Sequence, residues 1–358
     1  MKKKFRLPLF YVFYFTFIIL FVIALLFALK TVTVYLSDYE SSLPEYEAQR
    51  VFETYYASGD YSKLVSQSEH SITTFETEKS LERYLEAFTK DKTVTYSSIT
   101  TGLDDSLRYI VKADDVKFSS FTLVKSGSKT EKGFDLYELG SLEVYSMGPE
   151  SIAVAAPRGY SVYVNETAVD GTWLTGEIDE DISCKYMPEG VDGIATLHYR
   201  IDGLYEMPES VRVCAPDGRE CDVRNEIPGV YHADFLYDDS LLEPYTEYVT
   251  DAAQAIAAYM QFDGKFSEAA KYIDPDSDFY VNLRTSETYF VISHSSYSFE
   301  DVKVSEFYRY DENTFSCRIS FTHVLKRTGS KDYRDYIDMT LFLRRVNDQF
   351  LIYDRYNH

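Results

Sequence analysis

Basic residues, cysteine and tryptophan are all scarce in this 358-residue chain, which carries 36 Lys and Arg against 58 Asp and Glu, four Cys and one Trp. The formal charge is −22, and because Lys2, Lys3, Lys4 and Arg6 stand at the start, everything beyond them is more acidic still. Such a surface repels phosphate backbones and anionic headgroups, and no basic stripe interrupts it, so nucleic acid is set aside as a partner. Four cysteines do not make a disulfide framework. The first of them is Cys184, so the first half folds without a covalent staple and offers no lipid-anchor cysteine.

Chemistry-bearing patterns are also missing. The six histidines form no His-x-x-x-His pair, and His323, in a strand-like stretch, reads as a satisfied sheet residue; no zinc site is expected. Asp274-Pro-Asp276-Ser-Asp278 opens like a calcium loop, but Phe279 takes the glycine place and Thr285 the bidentate glutamate place, so it reads as a helix-terminating turn. No Gly-x-Ser-x-Gly elbow occurs, and Gly264-Lys265 lacks the upstream glycine of a phosphate loop, Tyr259 standing there. Asn165-Glu-Thr167 has the form of a glycosylation sequon and reads as a turn. No catalytic, cofactor-binding or metal-ligating residue is therefore assigned, and no cofactor is expected.

What is present begins with Leu7 to Leu29, 23 residues without a charge, enough helix to cross a hydrocarbon layer of about 30 Å. Basic residues precede the run, whereas Asp38, Glu40, Glu45 and Glu47 follow Lys30, which predicts a cytoplasmic N-terminus and an outer location for the rest. The run exceeds a signal-peptide core, and Ala28-Leu29-Lys30-Thr31-Val32 offers no Ala-x-Ala cleavage pattern, so it reads as a permanent single-pass anchor. Tyr11 and Tyr14 at one end and Tyr35 and Tyr39 at the other suit the two water interfaces. Ala24 and Ala28 form a small-xxx-small pair that can bring two such helices together.

Past a stalk at 30–42, Ser42-Leu-Pro-Glu45 has the form of a capping box, followed by Ala48, Val51, Phe52, Tyr55 and Tyr56 at helical spacing. Gly59 ends that helix, Asp60 can cap a second, and Leu81, Tyr84, Leu85 and Phe88 make another, started by Thr77 or Ser80. The period then falls to two, at Tyr109/Val111, Val116/Phe118, Phe121/Leu123, Phe134/Leu136 and Leu142/Val144, an antiparallel sheet after helices. Residues 150 to 236 predict short strands separated by Asp170-Gly171, Asp192-Gly193, Asp202-Gly203 and Asp217-Gly218, a small β-sandwich. There Cys214 and Cys221 flank a hairpin turn with two open registers. A two-residue loop at Asp217-Gly218 sets the thiols opposite each other and bridgeable; a three-residue loop with Pro216 at i+1 and Gly218 left-handed makes them miss. Cys317 alternates with Phe315, Ile319 and Phe321 and reads as a small core residue.

The first pattern then returns. Ala48 to Ser62 matches Ala253 to Ser267 at a constant offset of 205, Val51 meeting Ile256, and strand periodicity follows again in Val302/Val304, Phe315 to Phe321, Ile337 to Leu343 and Phe350/Ile352. The expected organisation is a basic stub (1–6), a transmembrane helix (7–29), a stalk (30–42), an α+β unit (43–147), a β-sandwich-like unit (148–240) and a second α+β unit (241–358).

N-terminal helices, a Gly-aromatic corner and a sheet ending in Phe350-Leu-Ile-Tyr-Asp resemble the cone-like domains of the cystatin and nuclear transport factor 2 type. With Pro157-Arg-Gly-Tyr-Ser-Val-Tyr-Val-Asn165 as the opening hairpin of the β unit, residues 43–358 resemble the outer part of the teicoplanin-resistance-associated (TcaA-like) envelope proteins of Gram-positive bacteria. The cytoplasmic zinc ribbon common there has no counterpart in Met1 to Arg6. The anchor, the repeated unit and the missing catalytic motifs together predict a non-catalytic, membrane-anchored binding or scaffolding protein of the cell envelope, with cell-wall polymer or other envelope proteins as partners on Tyr-lined concave surfaces. Two other readings stand beside it: an isomerase or hydrolase built in one cone around a strongly perturbed carboxylate, and an accessory subunit that recognises its partner through the transmembrane helix.

Overall fold

The computed structural model describes residues 9–99, 107–145, 147–285 and 291–358. The basic stub at Lys2, Lys3, Lys4 and Arg6, with Leu7 and Pro8, lies outside the described residues. The fold is α+β: one long apolar helix followed by helices and four sheets. Two compact units form, one running to Ser151 and taking back Asp202–Pro208, the other holding Ile152–Ile201 and Glu209–His358.

The first unit opens with α1 (Leu9–Ser41), which contains the apolar run and the stalk in one helix. Every side chain from Phe10 to Ser37 is exposed. Thr16, Thr31 and Thr33 return their hydroxyls to the carbonyls four residues back, at 2.8, 2.9 and 2.9 Å, so their polarity is satisfied within the helix. The expected capping box does not form. Because α1 runs on to Ser41, Ser42 donates back to the Tyr39 carbonyl (2.6 Å) and closes that helix, leaving Leu43 at the N-cap of α2 (Pro44–Tyr55) with Pro44 in its first turn. Gly59, at φ +74, supplies the left-handed residue after α2, and Asp60 accepts from the Ser62 amide (3.0 Å) at the start of α3 (Ser62–Gln67). α4 (Glu78–Thr89) buries Leu81 and Leu85. Strands β1 (Val94–Ile99), β2 (Leu107–Ala113), β3 (Val116–Lys129) and β4 (Asp135–Val144) then pair in sequence order as an antiparallel meander.

Tyr35 and Tyr39 have a second use beyond their expected interfacial place. Phe134, where β3 turns into β4, stands edge-on between them, at 5.4 and 5.3 Å, while the Lys132 amide donates to Asp38 (2.9 Å).

In the second unit, β5 (Glu150–Pro157), β6 (Ser161–Val164), β7 (Thr167–Ala168), β8 (Leu174–Glu180), β9 (Ala195–Leu204), β10 (Val211–Cys214), β11 (Val223–Ile227) and β12 (Val230–Ala233) make a three-stranded sheet, β10-β6-β7, and a five-stranded one, β11-β12-β5-β9-β8. β12 runs parallel to β5, which no local signal announces. Asn165 and Glu166, at φ 46 and 66, form the tight turn between β6 and β7. Asp202-Gly203, expected between strands, lies inside β9, with Gly203 at φ +82. Of the two cysteine registers, the three-residue loop is the one adopted. Gly218 is at φ +86, the Ala215 amide donates to the Arg219 carbonyl (2.8 Å), Cys214 faces Glu220, and both thiols are free.

Helices α5 (Leu242–Met260), α6 (Phe266–Ala269) and α7 (Asp278–Thr285) precede β13 (Ser296–Arg309), β14 (Thr314–Lys326), β15 (Tyr333–Val346) and β16 (Gln349–Asn357), again a meander in sequence order. The repeat read at offset 205 thus covers element order as well as residues: Ala48 and Ala253, Val51 and Ile256, Leu64 and Ala269 are all buried in equivalent places. A parallel bridge from the segment after the short helix to the last strand also recurs, Glu69 to Glu143 and Ile273 to Ile352. Asp274-Pro-Asp276-Ser-Asp278 starts a helix rather than ending one. The Asp274 carboxylate accepts the Asp276 amide (3.0 Å) and Ser277 caps α7 by accepting from Tyr280 N (3.1 Å). Asp274 is fully buried and ion-paired with Arg344.

That pair sets the first prediction. Arg344→Met leaves a buried carboxylate uncompensated and is expected to cost about 3 kcal/mol; adding Asp274→Asn, which keeps the shape and removes the charge, is expected to recover most of it. Denaturant midpoints of the single and double variants check this, and equal losses in both would contradict it.

Candidate functional site

The inward face of the second unit's sheet changes character along its length. Cys317 faces Leu341, Ile319 faces Met339, Phe321 faces Ile337 and His323 faces Asp335, while on β16 Arg355 faces Leu341 and Asn357 faces Met339. Residues directly opposite share one side of a sheet, so an apolar floor gives way to His323 and Asp335 at one end and to Arg355 and Asn357 along the edge strand. Ala253, Ile256, Ala257 and Met260 of α5 cover the floor and leave a recess of about 260 Å³, with Gln261, Tyr336 and His358 also in its wall. This is room for a small ligand or one end of a larger one.

Two polar groups here are under-satisfied. Arg355 is half-buried with its guanidinium 5.5 Å from the Phe279 ring, and among the described residues no carboxylate lies within ion-pair distance of it. Burial lowers its pKa against a weaker opposing pull from Asp354, yet a guanidinium stays charged. His323, expected to be a satisfied sheet residue, is 1% exposed, stacks at 4.7 Å on Phe299, and its Nε2 has no hydrogen-bond partner among the described residues. Strand alternation alone cannot reveal that missing partner. Burial pushes the His323 pKa down, which keeps the ring neutral.

His294 is shifted the other way. The Ile292 carbonyl, then Asp263 with its Oδ2 at 2.8 Å from Nε2, raise its pKa against burial, so the two rings are shifted in opposite directions. At the rim, Asp338 receives two hydrogen bonds from Arg318, at 2.9 and 2.8 Å, which lower its pKa. A carboxylate held that way stays ionised and is a weak general base.

A larger cleft of about 480 Å³ lies elsewhere in the second unit, but its three arginines are already paired, Arg158 with Asp192 (3.3 Å), Arg219 with Asp217 (2.7 Å) and Arg309 with Asp238 (2.6 Å). In the first unit the corresponding interior is filled by rings: Tyr109 stacks on Phe121 at 4.9 Å, and Tyr56, fully buried, shares a hydrogen bond with Ser119 (2.8 Å). Among the described residues no three His, Cys, Asp or Glu side chains gather as a metal site.

No protein-family model and no curated protein matches the chain. Among solved structures, one described as an "Ntf2 like protein involved in plasmid conjugation" is similar at 12% identity and a TM-score of 0.24, over 83% of this chain and 92% of that one.

The His294–Asp263 pair carries a pH signature. A folded pKa above the ordinary 6.5 gives stability that is complete below that value and lost as pH rises through the folded pKa. The drop in melting temperature caused by His294→Gln should therefore be larger at pH 6 than at pH 9. An identical drop at both would remove the pair from the account.

Proposed function

We propose that this chain is a non-catalytic, single-pass membrane protein of a bacterial cell envelope, which holds its folded units on the outer side as a binding or scaffolding module. The observation that carries the reading is α1. It is long and apolar enough to cross a membrane, and none of its most apolar stretch is buried in protein. Left in water, each of its large apolar side chains forgoes about 1.5–3 kcal/mol of burial, a cost that lipid removes. The positive-inside rule, applied to Lys2, Lys3, Lys4 and Arg6 against the acidic residues after Lys30, gives the orientation. The resemblance to the teicoplanin-resistance-associated envelope proteins supports a Gram-positive setting.

Binding is favoured over catalysis by the recess. It offers a guanidinium with no carboxylate in ion-pair distance among the described residues, beside an apolar floor and suited to the anionic end of a small ligand or polymer segment, whereas its rim carboxylate Asp338 is tied to Arg318. An isomerase or hydrolase would need a carboxylate or histidine poised to move a proton, and the facing pair His323 and Asp335 is where such chemistry would be sought.

Two experiments test this. A C-terminal epitope should be removed by protease added to intact cells while the N-terminus stays protected; protection of the C-terminal end would reverse the topology. The full chain in detergent should bind a short-chain carboxylate such as hexanoate, and Arg355→Met should weaken it about tenfold or more, as expected for a charged hydrogen bond. Unchanged affinity would detach the recess from the function.

A further inference from the structure

On the opposite face of the same sheet lies a second, smaller chamber of about 170 Å³. Six rings line it: Phe235, Tyr237, Tyr308, Tyr310, Phe342 and Tyr356. Phe342 is 1% exposed and stacked at 4.8 Å on Tyr186, while Tyr237, 46% exposed, stands at the rim. Tyr308 and Tyr310 meet edge to face at 5.0 Å and Phe235 meets Tyr308 at 6.3 Å. Burial raises the pKa of both tyrosines, Tyr310 to about 12, so these rings stay uncharged.

The charges around the rings are mostly negative. Glu306 and Asp181 are in the wall, and Asp338, which also borders the recess, joins them through Arg318, the cation among the described residues here, shared between Asp338 (2.9 and 2.8 Å) and Glu306 (3.3 Å). Three carboxylates against one guanidinium leave net negative charge. His358, also in the wall, is hydrogen-bonded to Thr340 (2.9 Å).

The backbone is bent to make this arrangement. A bulge falls between Ser305 and Tyr308, and Glu306 takes the left-handed conformation at φ +56, unfavourable for a residue with a Cβ. The extra residue turns Phe307 into the core and sends Tyr308, Tyr310 and the Glu306 carboxylate to the chamber.

Aromatic rings are electron-rich on their faces, so a cavity lined by six rings, bordered by carboxylates and partly desolvated, favours an organic cation over a neutral group of the same shape. We propose that this chamber binds an alkylammonium group, quaternary or primary. The volume suits a trimethylammonium head with a short stem and is too small for a folded peptide. This site shares His358 with the recess but takes its rings from the opposite face of the sheet, and it does not depend on the anchor.

The test uses the full chain in phosphatidylglycerol nanodiscs, free of choline lipid, titrated with choline and with its neutral isostere 3,3-dimethylbutan-1-ol, read by tyrosine fluorescence and ligand-observed NMR. Choline is expected to bind at least tenfold more tightly than the isostere. Tyr237→Leu, at the exposed rim and so tolerated by the fold, should weaken choline about fivefold, and Glu306→Gln should weaken it and flatten its salt dependence. Competition by phosphatidylcholine nanodiscs would assign the ammonium to a lipid headgroup, and its absence to a free molecule; both support the class. Equal binding of choline and the isostere, no choline binding at millimolar concentration, or full affinity in Tyr237→Leu would overturn it.

Discussion

Ala253, Ile256 and Ala257 of α5 share one core with Cys317, Ile319, Met339 and Leu341, and the rest of the second unit depends on that contact. Small residues on the helix let the sheet curl close to its axis, and each large apolar side chain removed from water contributes about 1.5–3 kcal/mol. The first unit reaches the same end with larger pieces: Ala48 and Val51 lie in one core with Tyr56, Tyr109 and Phe121. That difference in filling is why the second interior keeps an open end and the first is closed by rings.

Because the sheet is covered on its concave side, its strands must deliver different chemistry to their two faces. Met339 and Leu341 look inward while Thr340 and Phe342 look outward, so one strand serves both the recess and the aromatic chamber. β13 manages the same division through two bulges, each with a left-handed acidic residue, Asp301 and Glu306. A bulge shifts the alternation by one, which is how Phe307 reaches the core although Ser305, two residues earlier, lies on the other face.

Much of this was legible in the residues. The apolar run, the change from helical to strand period after Phe88, the strand carrying Cys317 and the repeat at offset 205 all follow from spacing, which tertiary packing obeys rather than overrides. The cysteine turn was half legible: Pro216 favours the longer loop, but only the register with Glu220 settles it. The capping box was misread, since whether Ser42 starts one helix or ends another depends on how far α1 continues. α7 was missed because Asp274-Pro275 looks like a stop, and the buried partner that makes it a start, Arg344, is 70 residues away. Neither site was visible. The absence of an ion-pair partner for Arg355 among the described residues and the convergence of six rings are facts of three-dimensional neighbourhood, and a chain with 33 tyrosines singles out none of them.

The wedge of Phe134 between Tyr35 and Tyr39, with the Lys132 amide on Asp38, means that the apolar helix does not end in a swivel. A flexible tether would absorb rotation and tilt. Here the β3–β4 hairpin touches the end of the helix through these rings and one amide, which restrains its direction relative to the sheet. The helix end and the sheet it touches therefore share a bearing that an unstructured tether would not impose.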